Sequence, residues 1–456
     1  MIADLQPYKE YKESGSRWLG NVPSHWGVHN LRTLIRRRNE RHRTDLSLLS
    51  VAREKGVFVR SLTDDSENHN VIPEDLSNYK VARAGNLVIN KMKAWQGSMG
   101  IAPCDGIVSP AYYVFDFDIA HRSFGQVLLR SKPYVAHFAQ ASDGVRIGQW
   151  DLTIAGMRQI PVLVPKEEEQ TAIVRFLNWT NNRLGRAVKA KQKQIALLNE
   201  QKQAIINRAV TRGLNPSVPL KPSGIPWVGD IPKHWKMRKL RQILTRVTER
   251  NRPDLPLLSV VREKGVIKRD TENFEENHNY IPADLSNYKI VKAGQFAMNK
   301  MKAWQGSYGL SEFDGIVSPA YFVFSLSGVN GDFFHTALRS RAYVPFFTQA
   351  SDGVRVGQWD LAEARMKEIP FFFPSSGEQI DVVKFVNDAT AEITSAISRL
   401  KTEIALLLEY RTRLVSDVVT GKLDVREAAA KLPEEEIEEI TEASEDMESA
   451  DEEIAV

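Results

Sequence analysis

The chain has 456 residues, room for two or three domains, and its 42% hydrophobic and 26% charged residues make an ordinary globular balance. Its 61 Lys and Arg against 57 Asp and Glu leave a net charge of +4. Twelve of those acids fall within Pro433–Val456, where there is no Lys or Arg, so residues 1–432 carry 61 basic against 45 acidic groups, or +16. Such an asymmetry points to a polyanion partner. The single Cys104 excludes an intramolecular disulfide framework and a cysteine zinc cluster, and fits a reducing cytoplasm. Met1–Gln6 lacks the pattern of a signal peptide, and no apolar run approaches the length of a membrane span, so a cytoplasmic protein with no membrane partner is expected.

In chain order, the first elements are a Ser14–Trp26 string of Gly, Trp, Pro and His, then a basic turn at Arg53 and Lys55 before Gly56. A polar cluster, Asn68-His69-Asn70, comes next. Asn90-Lys-Met-Lys-Ala-Trp-Gln-Gly-Ser98 follows, then short apolar runs such as Gly106-Ile-Val-Ser and Tyr112-Tyr-Val-Phe that read as strands. Ala141–Asp151 contains Asp-Gly-Val-Arg146 and Gln149-Trp150. Ile160-Pro161, Pro165 and Glu169-Gln170 lead into a helical stretch from about Glu168 to Ala209.

All of this then recurs at a constant offset of 209 residues. Asn299–Ser307 repeats Asn90–Ser98 without change, and Ala350–Asp360 repeats Ala141–Asp151 with only Ile147 replaced, by Val356. Leu48–Val51, Arg53–Val57, Glu67–Asn70, Asp75–Lys80 and Asp105–Tyr112 also return. A constant offset means no net insertion or deletion, so each copy is a domain plus its connector. The globular zones, about Tyr8–Pro165 and Leu220–Pro374, mix strand and helix signals and read as α+β.

The helical zones, about Glu168–Ala209 and Glu378–Val419, have a readable register. Leu184, Val188, Lys191, Ile195, Leu198, Lys202, Ile205 and Ala209 alternate at four and three residues, as do Ile393, Ile397, Leu400, Ile404, Leu407, Arg411, Leu414 and Val418. This is a coiled-coil seam; the competing reading is a long amphipathic helix lying on its own domain. About 40 residues give about 60 Å of helix, long enough for the two helices to pair.

No Gly-rich phosphate loop, His-Glu-x-x-His or Gly-x-Gly-x-x-Gly is present, and Asn215-Pro-Ser-Val does not make a base-methyltransferase loop. The repeated polar residues suit nucleic acid instead. Lys91, Lys93, Lys300 and Lys302 neutralise phosphates, while Asn90, Gln96, Asn299 and Gln305, with Ser98 and Ser307 beside them, offer hydrogen bonds to base edges. Arg53, Lys55, Arg262 and Lys264 form paired basic turns, and Asn68, His69 and Asn70 match Asn277, His278 and Asn279. The histidines suit either a braced turn or a contact. Trp95 and Trp304 read as core rather than base-stacking residues. Arg146 and Arg355 suit either DNA or another subunit.

The chain resembles the specificity subunits of type I restriction–modification systems. Each copy opens with Ser-Gly-x-x-Trp-(Leu/Val)-Gly-x-(Val/Ile)-Pro-x-His-Trp, at Ser14–Trp26 and Ser223–Trp235. Each zone closes on Ile-Pro, Pro and Glu-Gln, at Ile160, Pro165, Glu169-Gln170 and at Ile369, Pro374, Glu378-Gln379, and each is followed by a long helix. The match runs from about Tyr8 to Leu423.

The resemblance implies two target-recognition domains (1–165 and 213–374), each reading half of a split sequence in double-stranded DNA. They are linked by spacer helices (166–212 and 375–427) forming an antiparallel coiled coil, with an acidic tail at 428–456. It implies no catalysis and no cofactor in this chain. Two modification subunits would use S-adenosylmethionine, and restriction subunits would use ATP and Mg²⁺. In the family the two recognition domains usually differ; here they are near copies, so a palindromic or near-palindromic target is expected. Phe58 against Ile267, Val59 against Lys268 and Val88 against Ala297 mark where the half-sites diverge. A stand-alone methyltransferase or nuclease with duplicated recognition domains, and a coiled-coil scaffold that never meets DNA, are the competing readings.

Overall fold

Leu87–Asn90 and Tyr112–Phe117 are dense in β-branched and aromatic residues and pair antiparallel at the middle of a four-stranded sheet. Its order is Ile35–Arg38, Tyr112–Phe117, Leu87–Asn90 and Met99–Ile101. Both faces are apolar because strand side chains alternate. Leu87, Ile89, Phe115 and Phe117 enter the main core with Phe124, Leu128, Tyr134 and Phe138 from the helices Arg122–Arg130 and Lys132–Gln140. Val88 and Val114 point the other way, into a smaller core with Leu49, Val51, Val57 and Val108 of a second four-stranded sheet. The computed structural model describes residues 5–61, 72–73, 75–146, 149–262, 264–269, 281–282, 284–355 and 358–433.

The second copy repeats this plan. Leu244–Val247, Tyr321–Leu326, Phe296–Asn299 and Tyr308–Leu310 form the matching sheet in the same order. Phe296, Met298 and Phe324 face the main core, while Ala297 and Val323 face the smaller one. The second sheet is looser: its central parallel pairing shrinks to one bridge, Leu257 with Ile316.

Two helices outrun these domains, Glu167–Arg212 with 46 residues and Ser376–Val419 with 44. Left-handed glycines follow both, Gly213 at φ 69° and Gly421 at φ 76°. The chain divides into two units. The described part of one holds residues 5–192 and 401–433, and of the other residues 193–400. Each unit therefore contains one domain, the N-terminal half of that domain's own helix and the C-terminal half of the other helix.

Within each unit the helix halves run antiparallel. Arg411 Nε donates to Asn181 Oδ1 at 3.1 Å and Lys191 pairs with Glu403 in the first; Lys202 Nζ donates to Thr394 Oγ1 at 2.9 Å in the second. Every seam position is buried or half-buried, with Val188, Ala209, Ile393, Ile404, Leu414 and Val418 buried; Leu184, Ile195, Leu198, Ile205, Ile397, Leu400 and Leu407 are half-buried. The competing picture of a helix lying on one domain holds only at the ends. Ile173, Phe176 and Leu177 of the first helix and Leu414, Val418 and Val419 of the second join the first domain's core. Val382 and Val386, with Ile206, Ala209 and Val210, join the second's.

The strings that close each copy act as a clamp on these helix starts. Gly27–Asn30 pairs antiparallel with Pro161–Val164, Gly27 opposite Val164, which brings the residues before Gly27 beside those after Val164. Glu169, 5% exposed, then accepts hydrogen bonds from Tyr8 Oη at 2.7 Å and Trp26 Nε1 at 3.1 Å, and its other oxygen meets His25 Nε2 at 2.8 Å. Burial and this carboxylate push the Tyr8 phenol above its usual range. Gln170 Nε2 donates to the Pro165 carbonyl at 2.8 Å, and its Oε1 accepts from the His121 amide at 3.0 Å. Glu378 and Gln379 repeat the arrangement with Trp235, His234, Pro374 and Asn330.

Candidate nucleic-acid interface

The Lys-Met-Lys block connects two neighbouring strands. Leu87–Asn90 runs into it, a single 3₁₀ turn at Ala94–Gln96 shapes it, and Gly97, at φ 90°, releases the chain into Met99–Ile101. A side chain at Gly97 would adopt a disfavoured backbone and crowd Val135. Asn90 Oδ1 accepts from the Met92 amide at 3.2 Å, and Asn299 Oδ1 from Met301 at 3.1 Å. Asn90, Asn299, Ser98 and Ser307 are all buried. The Asn90 and Asn299 carboxamides thus brace the turn locally, as buried amides do.

The same turn presents Lys93 and Lys302 exposed and Gln96 and Gln305 half-exposed. Lys91 Nζ bonds Asp151 Oδ2 at 2.7 Å and Lys300 Nζ bonds Asp360 Oδ2 at 2.8 Å. The carboxylate holds the Lys91 ammonium above its ordinary range. Asp151 and Asp360 belong to the other repeated block, which folds as a hairpin, Ser142–Arg146 with Gln149–Leu152 and Ser351–Arg355 with Gln358–Leu361. The two blocks thus form one surface. Trp95 packs on Trp150 with ring centroids 5.0 Å apart, and Trp304 on Trp359 at 4.8 Å. These tryptophans join block to hairpin, half-buried. The backbones of Arg146 and Arg355 end the first hairpin strand; their side chains lie outside the described ones. Asn68, His69, Asn70, Asn277, His278 and Asn279 lie outside the described residues, as does the acidic stretch from Glu434.

The basic turns are tight hairpin connections. Arg53 and Lys55 precede Gly56 at φ 69°, and Arg262 and Lys264 precede Gly265 at φ 72°. Arg130 reaches back from its helix to the Arg53 carbonyl at 2.6 Å, and Arg339 does the same to Arg262. Sequence reasoning passed over these two arginines, although the 209-residue offset relates them. In the second unit Arg262, Lys264 and Gln305 line one cleft of about 960 Å³, together with Arg339, Arg341 and, from the helix halves, Asn199, Gln203 and Thr390. Three residues expected to contact DNA are thereby brought together with two further cations.

Of the positions that differ between copies, Val59 and Lys268 are exposed and Phe58 and Ile267 half-exposed. Val88 and Ala297 are fully buried in the smaller cores, so that difference is one of packing and not of surface. Among the described residues there is no cluster of three or more His, Cys, Asp or Glu able to hold a metal ion, and no helix long and apolar enough to cross a membrane.

No family model matches the chain, and no curated protein does. Solved structures do. A chain described under complex assembly and conformational transition of the type I restriction–modification system aligns with 88% of this chain and 99% of its own, at 13% identity and a TM-score of 0.58. This chain has the fold of a type I restriction–modification component. The HsdS subunit from Thermoanaerobacter tengcongensis aligns at 14% identity over 89% of this chain and 98% of its own, with a TM-score of 0.40. The type I S subunit from M. genitalium aligns at 10% identity over 86% and 96%, with a TM-score of 0.31. The mixed α+β architecture with two long helices is the one that the repeated strings led us to expect.

Proposed function

We propose that this chain is the specificity subunit of a type I restriction–modification complex. It binds double-stranded DNA, reads one half of a split target with each domain, and carries no catalytic activity itself. One observation carries the reading: two copies of a single domain, each presenting the same lysine turn and hairpin, each pack against halves of both long helices. The +16 body supports a polyanion partner, and the shared fold supports membership of such a complex. The exposed Lys93, Lys302, Arg53, Arg262 and Lys264 and the half-exposed Gln96 and Gln305 are the residues we assign to DNA, and the helix pair sets the unread gap. Two modification subunits supply S-adenosylmethionine-dependent adenine methylation. Restriction subunits supply ATP- and Mg²⁺-dependent cleavage, all in the cytoplasm.

The test is direct. The purified chain should retain duplex DNA on a filter, with affinity falling steeply as salt rises. With S-adenosylmethionine or Mg²⁺ it should neither methylate nor cut until its partner subunits are added. Methyl transfer by the chain alone would favour a stand-alone enzyme, and failure to retain DNA would favour a scaffold.

A further inference from the structure

Lys80 and Lys289 are 5% and 4% exposed, among the most buried charged residues of the described chain. Each ends the repeated Asp-Leu-Ser-Asn-Tyr-Lys block, and neither has a carboxylate hydrogen-bond partner among the described residues. Lys80 Nζ donates to the Tyr112 carbonyl at 2.5 Å and Lys289 Nζ to the Tyr321 carbonyl at 2.5 Å. A lysine ammonium has three donors, and a buried one without an anion is costly. The charges around Lys80 are positive: Arg37, Arg41 and Lys91, the last already tied to Asp151. Burial first, then these neighbours, pushes the Lys80 ammonium down to about 8.

The arrangement recurs in the second copy. Arg41 bridges to Lys80 by backbone and Arg250 to Lys289. Arg37 lies over the Tyr113 ring at 5.5 Å and Arg246 over Phe322 at 4.8 Å. The strand that carries Arg37 reads Ile-Arg-Arg-Arg in one copy and Leu-Thr-Arg-Val in the other, so of its three arginines only this one is kept. Glu40 and Glu249, which precede Arg41 and Arg250 in the chain, are engaged elsewhere, with Arg83 and Lys292. A charge difference separates the copies: Glu363 pairs with Arg246 and its carboxylate also acts on Lys289, whereas Ile154 stands at the matching position of the first.

We infer that Lys80, Arg37 and Arg41, and likewise Lys289, Arg246 and Arg250, form an oxyanion site in each domain that seats a phosphate of the DNA backbone. Arg37 is exposed and Arg41 half-buried, so a phosphate meeting both comes up to the buried ammonium and supplies the anion it lacks. The inference rests on the DNA-binding reading above. The first site takes phosphate more strongly, because Glu363 offsets part of the charge of the second.

The test uses the full chain, a fluorescently labelled short duplex of mixed sequence, and anisotropy titrations over a salt series. In Lys80→Met with Lys289→Met, the slope of log affinity against log salt should become shallower by about one to two, one for each lost contact. Lys80→Met alone should account for the larger part, and the exposed-helix control Lys401→Met should leave the slope unchanged. Methionine keeps the length of the lysine stem; should the double variant fold poorly, Arg37→Gln with Arg41→Gln reads the same slope from the surface. An unchanged slope with wild-type binding intact overturns the inference alone, whereas absence of binding by the wild type overturns the DNA reading beneath it. If inorganic phosphate raises the melting temperature of the wild type but not of the double variant while the slopes agree, the sites hold free phosphate and the assignment to DNA is overturned.

Discussion

Gln126 and His335 stand at matching positions, and each accepts a hydrogen bond from a strand amide, Ile101 N to Gln126 Oε1 at 2.8 Å and Leu310 N to His335 Nδ1 at 2.9 Å. The glutamine does not titrate; the histidine does. Burial, with the Arg339 charge adding to it, pulls His335 down to about 4. An unfolded chain protonates this side chain near 6.5, so the second domain loses stability as pH falls from about 6.5 toward 4, by roughly 3 kcal/mol in all. Denaturant unfolding across that range should show the loss, and His335→Gln should abolish it, since the first domain already uses glutamine. Glu169 supports a second expectation. Truncation to alanine strands the Tyr8, Trp26 and His25 donors in a buried site, which should cost about 2–4 kcal/mol in unfolding experiments. At this scale the sequence was partly legible. The repeat exposed which polar residues matter, but not which way they face: Asn90 and Ser98 turned inward, Gln96 half outward. Lys80 was missed because its significance lies in the absence of a carboxylate, which no spacing reveals.

Among the elements, the two long helices were the most legible, because a four-three alternation of apolar residues admits only one face. Their seam is buried or half-buried at every expected position. The clamp was not legible. Glu169-Gln170 and His25-Trp26 were visible as strings, but their meeting depends on the register of Gly27–Asn30 against Pro161–Val164, a pairing of segments more than 130 residues apart. The return of the distal helix to the first domain's core was equally hidden. It has a measurable consequence. Val418 is fully buried in that core, so Val418→Asp should destabilise the first unit by about 4 kcal/mol or more and raise hydrogen exchange in Leu87–Asn90 and Tyr112–Phe117. Exchange in Phe296–Asn299 should stay as in the wild type. Ala209→Asp should give the converse pattern.

At the scale of the whole molecule, the repeat makes the target itself a prediction. On the proposed reading, two near-identical domains joined by an antiparallel spacer are expected to read like half-sites in inverted orientation, as twofold repressors do. Genome-wide mapping of methylated adenines in the host should return a palindromic or near-palindromic split motif; two unrelated halves would refute it. Lys268, exposed where the first copy has Val59, is the place to look for any asymmetry between them. The division of the chain into units has a consequence of another kind, in time. The described part of the second unit is one continuous stretch, 193–400, and can close as soon as it leaves the ribosome. The first unit needs residues 401–433 to cover its core, among them Leu414, Val418, Val425, Ala429 and Leu432. The domain that is synthesised first is therefore completed last, and its apolar face waits through more than 200 further residues of translation for its partner. Nascent chains stalled before Lys401 should accordingly engage a chaperone through the first domain, and release it when synthesis passes Leu432.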